Sequence, residues 1–458
     1  MLSTFFGLEI ARRGLMAQRA AMDTTSHNIA NANTEGYTRQ QAVHTAENPY
    51  TIPMMTQKVT PGQLGTGVTV SEIRRVRDSI IDSHVRWALG DAGYWEERSD
   101  ALARVEALFP EPTDYGLQSV IGKFFNYWQD LNNNPQDPGL KAAVREAGEE
   151  LTSMVKVTYG QLVDNRDGLE NDLENKVDEI NNLADQIAAI NQAIASLGNA
   201  DYKANDLMDR RDVLLDKLAA IGEIQVTSLA DGQVEVRLFG EVLINGTNPP
   251  ANVTGNFPLN GGSPFTVTIG TSPAVNVTTL ADANAPGSLV GLESARQKVI
   301  GYINNLNELA QALITQVNAK HPDNGTTRAD FFAGTDASSF SVHPDIILDV
   351  TKIDGTLALD VAGLRDDAIA ALGDTTFEGF YTQLVTRIGT DVSGAADRVK
   401  SAQAVREQLQ NLRQSVIGVS IDEELANLTQ YQYAYQASAR VVTVLDAMLD
   451  TIINRMGV

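Results

Sequence analysis

Residues 421–456 read IDEELANLTQYQYAYQASARVVTVLDAMLDTIINRM, and Ile421, Leu428, Tyr435, Val442, Leu449 and Met456 recur in this stretch every seven residues. That spacing keeps one stripe of a helix turned toward a partner. Ser420 suits the N-cap, Asp422, Glu423 and Glu424 put carboxylates at the positive end of the helix dipole, and Arg455 and Gly457 fit the exit. The pattern predicts a helix from about Ile421 to Met456. At the other end of the chain, Leu8, Leu15, Met22 and Ile29 repeat the same period. Either stripe could serve an amphipathic helix resting on its own domain core. Isolated helices are marginal in water, however, and two terminal helices have each other or other subunits to lie against. An assembly coil made by the chain ends is the reading that position favours.

Between these ends the chain reads as mainly α with an inserted β domain. Ile180, Leu183, Ile187, Ile190, Ile194 and Leu197 step by three and four with polar residues between, predicting a long helix ended by Gly198-Asn199. Further helices are expected near 79–109, 117–131, 140–165, 205–221, 289–319 and 377–416. From Ile224 alternation replaces helical spacing. Gln225-Val226-Thr227 and Val234 to Leu238 flank Asp231-Gly232, a hairpin signal. Asn245-Gly246, Pro249-Pro250, Gly261-Gly262 and Pro286-Gly287 punctuate short strand-like runs at Phe265 to Ile269 and Ala274 to Thr279. The expected organisation is a terminal assembly domain (1–37 with 417–458), an elongated helical bundle (38–222 with 288–416, mixed over 323–374), and an antiparallel β-rich insertion (223–287).

Length and charge narrow the function. A chain of 458 residues can hold two or three domains. With 35 basic against 58 acidic residues its formal net charge is -23, which repels both a nucleic-acid backbone and an anionic membrane surface. The same field keeps monomers apart until a self-complementary surface overrides it. There is no cysteine, hence no disulfide framework, thiolate metal site or cysteine nucleophile. Met1 to Leu15 lacks the basic start, apolar run and cleavage site of a secretory signal, and no window approaches the roughly 18 to 20 apolar residues that span a bilayer.

Catalytic and metal-binding patterns find no support. His27, His44, His84, His321 and His343 are widely spaced, and none forms a paired zinc-ligand motif. Gly62 to Gly67 lacks the lysine and hydroxyl of a phosphate-binding loop, and the acidic run Asp164 to Glu179 would put Val163 where a calcium loop needs an oxygen. No nucleophile elbow is present. The expectation is a non-enzymatic protein without metal or cofactor.

One stretch is more particular: Ser26-His27-Asn28-Ile29-Ala30-Asn31-Ala32-Asn33-Thr34-Glu35-Gly36-Tyr37-Thr38-Arg39-Gln40. Asn and Gly suit a helix exit because both tolerate left-handed backbone. The string resembles the signature of the flagellar rod, hook and hook-associated proteins, with Ser26, His27, Asn28, Asn31, Asn33, Gly36, Tyr37 and Arg39 carrying the likeness. The opening Ser-His-Asn and the Gly-Tyr ending are closer to the hook-associated members than to rod or hook proteins. Residues 116–135, Ala204 to Asp212 and Asp422 to Arg440 are similar to the same family, and the likeness is weakest over 222–286. The resemblance implies a structural subunit of the junction between hook and filament, exported through the flagellar type III channel to the cell exterior after a cytoplasmic stage. The implied partners are further copies of itself in a helical ring, the hook protein, a second hook-associated protein beside the filament, and an export chaperone on the C-terminal helix. A hook, rod or filament subunit, a non-polymerising helical adaptor and an enzyme are the rival readings.

Overall fold

The computed structural model describes residues 5–49, 65–197, 204–229, 232–257 and 264–451. Met456, Arg455, Gly457, Gly198-Asn199, Asp231 and Gly261-Gly262 lie outside them. The described chain is mainly helical with small antiparallel sheets.

Four long helices make the body: α2 (Ser79–Glu106), α4 (Pro138–Ser196), α7 (Ser288–Lys320) and α10 (Phe377–Ile417), joined by α3 (Leu117–Asn133) and α5 (Asn205–Ile221). Apolar residues at helical spacing face inward. Leu151, Val155, Leu162, Leu169, Leu173, Val177, Ile180, Leu183 and Ile187 form one buried stripe along α4. This stripe meets the buried face of α7. α2 and α10 run antiparallel, since Arg406 and Gln403 reach Glu96 while Arg413 reaches Asp216, the partner of Arg86. At one end Phe124, Phe125 and Trp128 of α3 pack with Phe331, Phe332 and Phe377.

Two helices expected around 140–165 and 180–197 are one. α4 has 59 residues, which at a rise of 1.5 Å gives about 90 Å of rod. Gly160 and Gly168 sit in its middle without interrupting it. Their propensity cost of about 1 kcal/mol each is smaller than the burial of the apolar stripe on both sides.

The β-rich insertion holds two three-stranded antiparallel sheets, β3-β4-β5 (Ile224–Ser228, Val234–Leu238, Glu241–Asn245) and β6-β7-β8 (Val253–Asn256, Thr266–Ile269, Val275–Asn276). Val234, Val236 and Leu238 alternate inward. Asparagines of α4 pin both sheets. Asn191 donates to the carbonyls of Val234 and Gly246, and Asn181 brackets Val253, donating to its carbonyl and accepting from its N–H. The strand-like run Ala274 to Thr279 is strand only to Asn276, because the Asn276 side chain accepts from Thr279 N and starts a short helix, α6 (Val277–Asp282). Residues 323–374 hold the strand pair β9 (Phe332–Ala333) and β10 (Ser341–Val342), then α8 (Pro344–Leu348), α9 (Ala358–Gly363) and 3-10 turns.

The chain ends form a separate pair, α1 (Phe6–Ala30) and α11 (Ile421–Asp450). Beside them lies an antiparallel ribbon, β1 (Gln40–Ala46) with β2 (Val68–Arg75). The helical bundle expected over 38–222 did not include this ribbon.

Candidate functional site: the terminal helix pair and its clasp

α1 and α11 pack antiparallel through small side chains. A Cβ on Gly7 would lie 3.3 Å from Leu445 Cδ1, and one on Gly14 3.2 Å from Ser438 Oγ. Asn28 reaches Glu424. Each seven-residue advance along α1 is thus matched by seven residues back along α11, so the seam is a heptad seam. On α1 it passes Gly7, Gly14 and Asn28, a line of seven-residue steps on which Ala21 is also buried, while Ala11 and Ala17 are buried elsewhere on the helix. Leu8, Leu15, Met22 and Ile29 flank this line and are half-buried. On α11, Leu428, Val442 and Leu449 are half-buried, whereas Ile421 and Tyr435 are exposed.

A second stripe on α11 escaped the heptad reading. Tyr433, Ala437, Val441, Val444 and Met448 step by four, four, three and four, and all are exposed. Val444 is 52% exposed and Met448 56%, so this face has no cover among the described residues. The signal was available in the sequence but competed with a cleaner period of seven.

The seam ends in a clasp built from the Asn- and Gly-rich stretch. Asn28 is 1% exposed and its amide is fully used. Its Nδ2 donates to Gln40 O at 2.8 Å and Glu424 Oε2 at 3.1 Å. Its Oδ1 accepts from the Tyr37 hydroxyl at 2.7 Å and Gln40 N at 2.9 Å. Asn31 caps the last turn of α1 by donating to His27 O. His27 Nδ1 lies 3.1 Å from the Tyr37 hydroxyl. Burial raises the Tyr37 phenol above its ordinary range, and the carboxylates of Asp206, Asp209 and Glu424 raise it further, so it stays a donor. Gly36 makes the turn at φ +75, and a Cβ there would come within 2.2 Å of Val213. Only glycine meets both conditions. Ser26 and Asn33 are exposed.

Arg39 ties α11 into the clasp. Its guanidinium pairs with Glu423 at 2.8 Å and with Glu424 at 2.9 Å, while its N–H donates to Ile417 O at the end of α10. Glu424 is 2% exposed. A buried carboxylate is costly unless paired and hydrogen-bonded, and Arg39 and Asn28 supply both. Glu424 thus does more than favour a helix dipole, which was its expected part.

Below the clasp, α5 presents Asp206, Asp209, Asp212 and Asp216 on one face. Asp206 accepts from Gln40 Nε2 and Asp209 from Thr38 N. Arg75 joins Asp209 at 2.8 Å and Asp212 at 2.6 Å; Arg77 and Arg86 also pair with Asp212, and Arg86 and Arg413 with Asp216. Burial pushes the Asp212 carboxyl up, but the guanidiniums of Arg77, Arg75 and Arg86 together hold it below the usual range. The network locks residues 38–40, β2, α2 and α10 to one helix face. Asp and Arg at three- and four-residue spacing in 205–216 carried that signal. Among the described residues, no group of three or more His, Asp or Glu could hold a metal ion, and no helix is long and apolar enough to cross a membrane.

Comparison with known proteins agrees with this architecture. Residues 102–332 match the family described as flagellar hook-associated protein FlgK helical domain, residues 8–38 the flagella basal body rod protein family, and residues 414–456 the flagellar basal body rod FlgEFG protein C-terminal family. The chain is 30% identical to flagellar hook-associated protein 1 of Bacillus subtilis (strain 168) over 509 residues, covering 100% of this chain and 99% of that protein. It is 26% identical to the Escherichia coli (strain K12) protein of the same name, covering 97% and 98% respectively. The solved structure of the flagellar hook junction protein FlgK from Burkholderia pseudomallei is similar at a TM-score of 0.48 and 22% identity, over 55% of this chain and 46% of that one. The chain therefore belongs to the flagellar hook-associated protein 1 family, whose members are structural proteins of the flagellum and not enzymes.

Proposed function

We propose that this chain is a subunit of the junction between flagellar hook and filament, polymerising through its terminal helices into a short helical ring. The observation that carries this reading is the α1–α11 pair. Its own seam uses small residues, which leaves the stripe Tyr433, Ala437, Val441, Val444 and Met448 and the flanking Leu8, Leu15, Met22 and Ile29 available to neighbouring copies. Burying such side chains contributes about 1.5–3 kcal/mol each, enough in sum to offset the ordering of the ends. In this reading 1–37 with 417–458 form the inner layer, 38–222 with 288–416 the body, and 223–287 an outer domain. Export runs through the flagellar type III channel from the cytoplasm to the exterior, with a chaperone covering the C-terminal helix beforehand. Hook protein and a second hook-associated protein are the neighbours in this reading; the name of the Bacillus subtilis relative supports the association with the hook.

The test is deletion of the gene in its source bacterium, with electron microscopy of the cells and assay of the medium for unassembled filament protein. Bare hooks and shed filament subunits are expected, rescued by the intact gene. Leu428→Asp, Val442→Asp and Val444→Asp should each fail to rescue while the purified proteins keep the helical content of the body. Normal filaments in the deletion strain would overturn the junction role, and full rescue by all three variants would overturn the role of α11.

A further inference from the structure

A cavity of about 570 Å³ opens between α2, α5 and β3, walled by Arg75, Arg77, Arg86 and Arg211 with Trp87 beside them. The cationic wall is unexpected in a chain of net charge -23. Its carboxylates are Asp82, Asp212 and Glu223. Asp82 is taken up by Arg77, Asp212 by three guanidiniums, and Glu223 is solvent-exposed. Arg211 is different. It is 4% exposed, and its Nη1 donates only to neutral oxygens, Asn191 Oδ1 at 3.0 Å and Gly232 O at 2.8 Å. Its Nε is buried without an acceptor among the described residues.

A buried guanidinium normally has a carboxylate, because desolvating the charge is otherwise uncompensated. Three further arginines stand close by. Burial first, and then Arg75, Arg86 and Arg77, lower the Arg211 pKa to about 10 against the opposing pull of Asp212. Arg75, Arg77 and Arg86 are taken up by Asp82, Asp209, Asp212 and Asp216, so Arg211 is the guanidinium of the cavity with no carboxylate paired to it among the described residues. A guanidinium fork matches a planar carboxylate in two parallel hydrogen bonds. Trp87, 54% exposed, offers a flat apolar surface for the methylene stem of an acidic side chain.

We propose that this cavity is a carboxylate-binding site, filled in the assembled flagellum by an aspartate or glutamate side chain of a second copy of this chain. The proposal rests on the self-assembly reading above. Copies carrying -23 each repel one another. An acidic side chain inserted among a neighbour's arginines turns part of that repulsion into attraction and fixes the register of the two copies.

The experiment places a photo-crosslinking benzoylphenylalanine at Trp87 of the full chain, expressed in cells that build flagella, with the same label at Val444 as reference. Trp87 is expected to crosslink to a second copy, at a peptide containing Asp or Glu. Arg211→Met should lower the Trp87 yield about tenfold relative to the Val444 yield, and Arg211→Lys, which keeps the charge but loses the fork, should restore only part of it. Crosslinks between copies from Val444 but none from Trp87 overturn the proposal and leave self-assembly standing. Silence at both positions overturns the self-assembly reading and the proposal with it. A Trp87 crosslink to a different protein, or a yield unchanged by Arg211→Met, also refutes it. Should Arg211→Met fail to fold, seen as loss of the Val444 crosslink too, the unmodified chain decides: an acidic peptide from a second copy supports the site and a peptide without Asp or Glu rejects it.

Discussion

Asn28 makes four hydrogen bonds inside the protein, to Gln40, Tyr37 and Glu424. Leaving a buried polar group without its partner costs about 1–3 kcal/mol. Asn28→Ala should therefore destabilise the clasp by about 2 kcal/mol or more, read as faster amide exchange in α11 while α4 and α7 stay protected. Equal exchange in the two proteins would show that Arg39 alone holds Glu424. His321 gives a pH dependence of known sign. Its ring is fully buried against Trp128 and Phe331 and accepts from Asp354 N at 2.8 Å. Burial, followed by the charge of Arg328, lowers its pKa from 6.5 to about 4. The unfolded chain thus binds the proton more readily, so this contribution to stability is complete above pH 6.5 and is lost as pH falls toward 4. The loss approaches about 3 kcal/mol at the acid end. His321→Gln should flatten urea midpoints measured across that window; an undiminished slope would assign the acid sensitivity to carboxylates such as Asp212. Asn28 could be read from the sequence as a helix-exit residue, but its partners could not, because Glu424 lies 396 residues away.

At the level of elements, the helix pair is held by what its seam lacks. With a Cβ at Gly14 already 3.2 Å from Ser438 Oγ, Gly14→Leu cannot enter the seam without parting the helices. Both α1 and α11 should then lose protection against limited proteolysis while the thermal midpoint of the body is unchanged, and retained protection would mean that the flanking leucines carry the pairing. Most helices were legible because inward apolar residues recur with helical period: α5 runs Asn205–Ile221, α7 Ser288–Lys320 and α10 Phe377–Ile417, each within about a residue of expectation. The failures have local causes. α4 appeared divided because its middle carries glycine and acidic residues, and the α6 turn looked like strand because Val277, Thr278 and Thr279 are β-branched. The β1–β2 ribbon was missed because Gln40 to Ala46 has little apolar alternation, its burial pattern being two buried positions followed by an open end.

For the whole molecule, charge and apolar surface oppose each other. A net charge of -23 separates copies, and the open stripe of α11 draws them together. Salt screens the first over about 8–10 Å near physiological strength and leaves the second largely intact. Self-association of the purified chain, followed by light scattering, should therefore begin at lower protein concentration as sodium chloride is raised; the opposite trend would mean that ion pairs such as those proposed at Arg211 dominate assembly. The sequence by itself determined the helical class, the position of the β-rich insertion, the amphipathic ends and the family, since each is written in local period, turn chemistry or a contiguous motif. Only the tertiary structure decided that α1 and α11 meet at Gly7 and Gly14, that Glu424 is buried on Arg39 and Asn28, and that four arginines share one cavity. The reason is distance along the chain: those contacts join segments more than a hundred residues apart, and the period of each segment shows which face seeks a partner but not which residue of the other segment it meets.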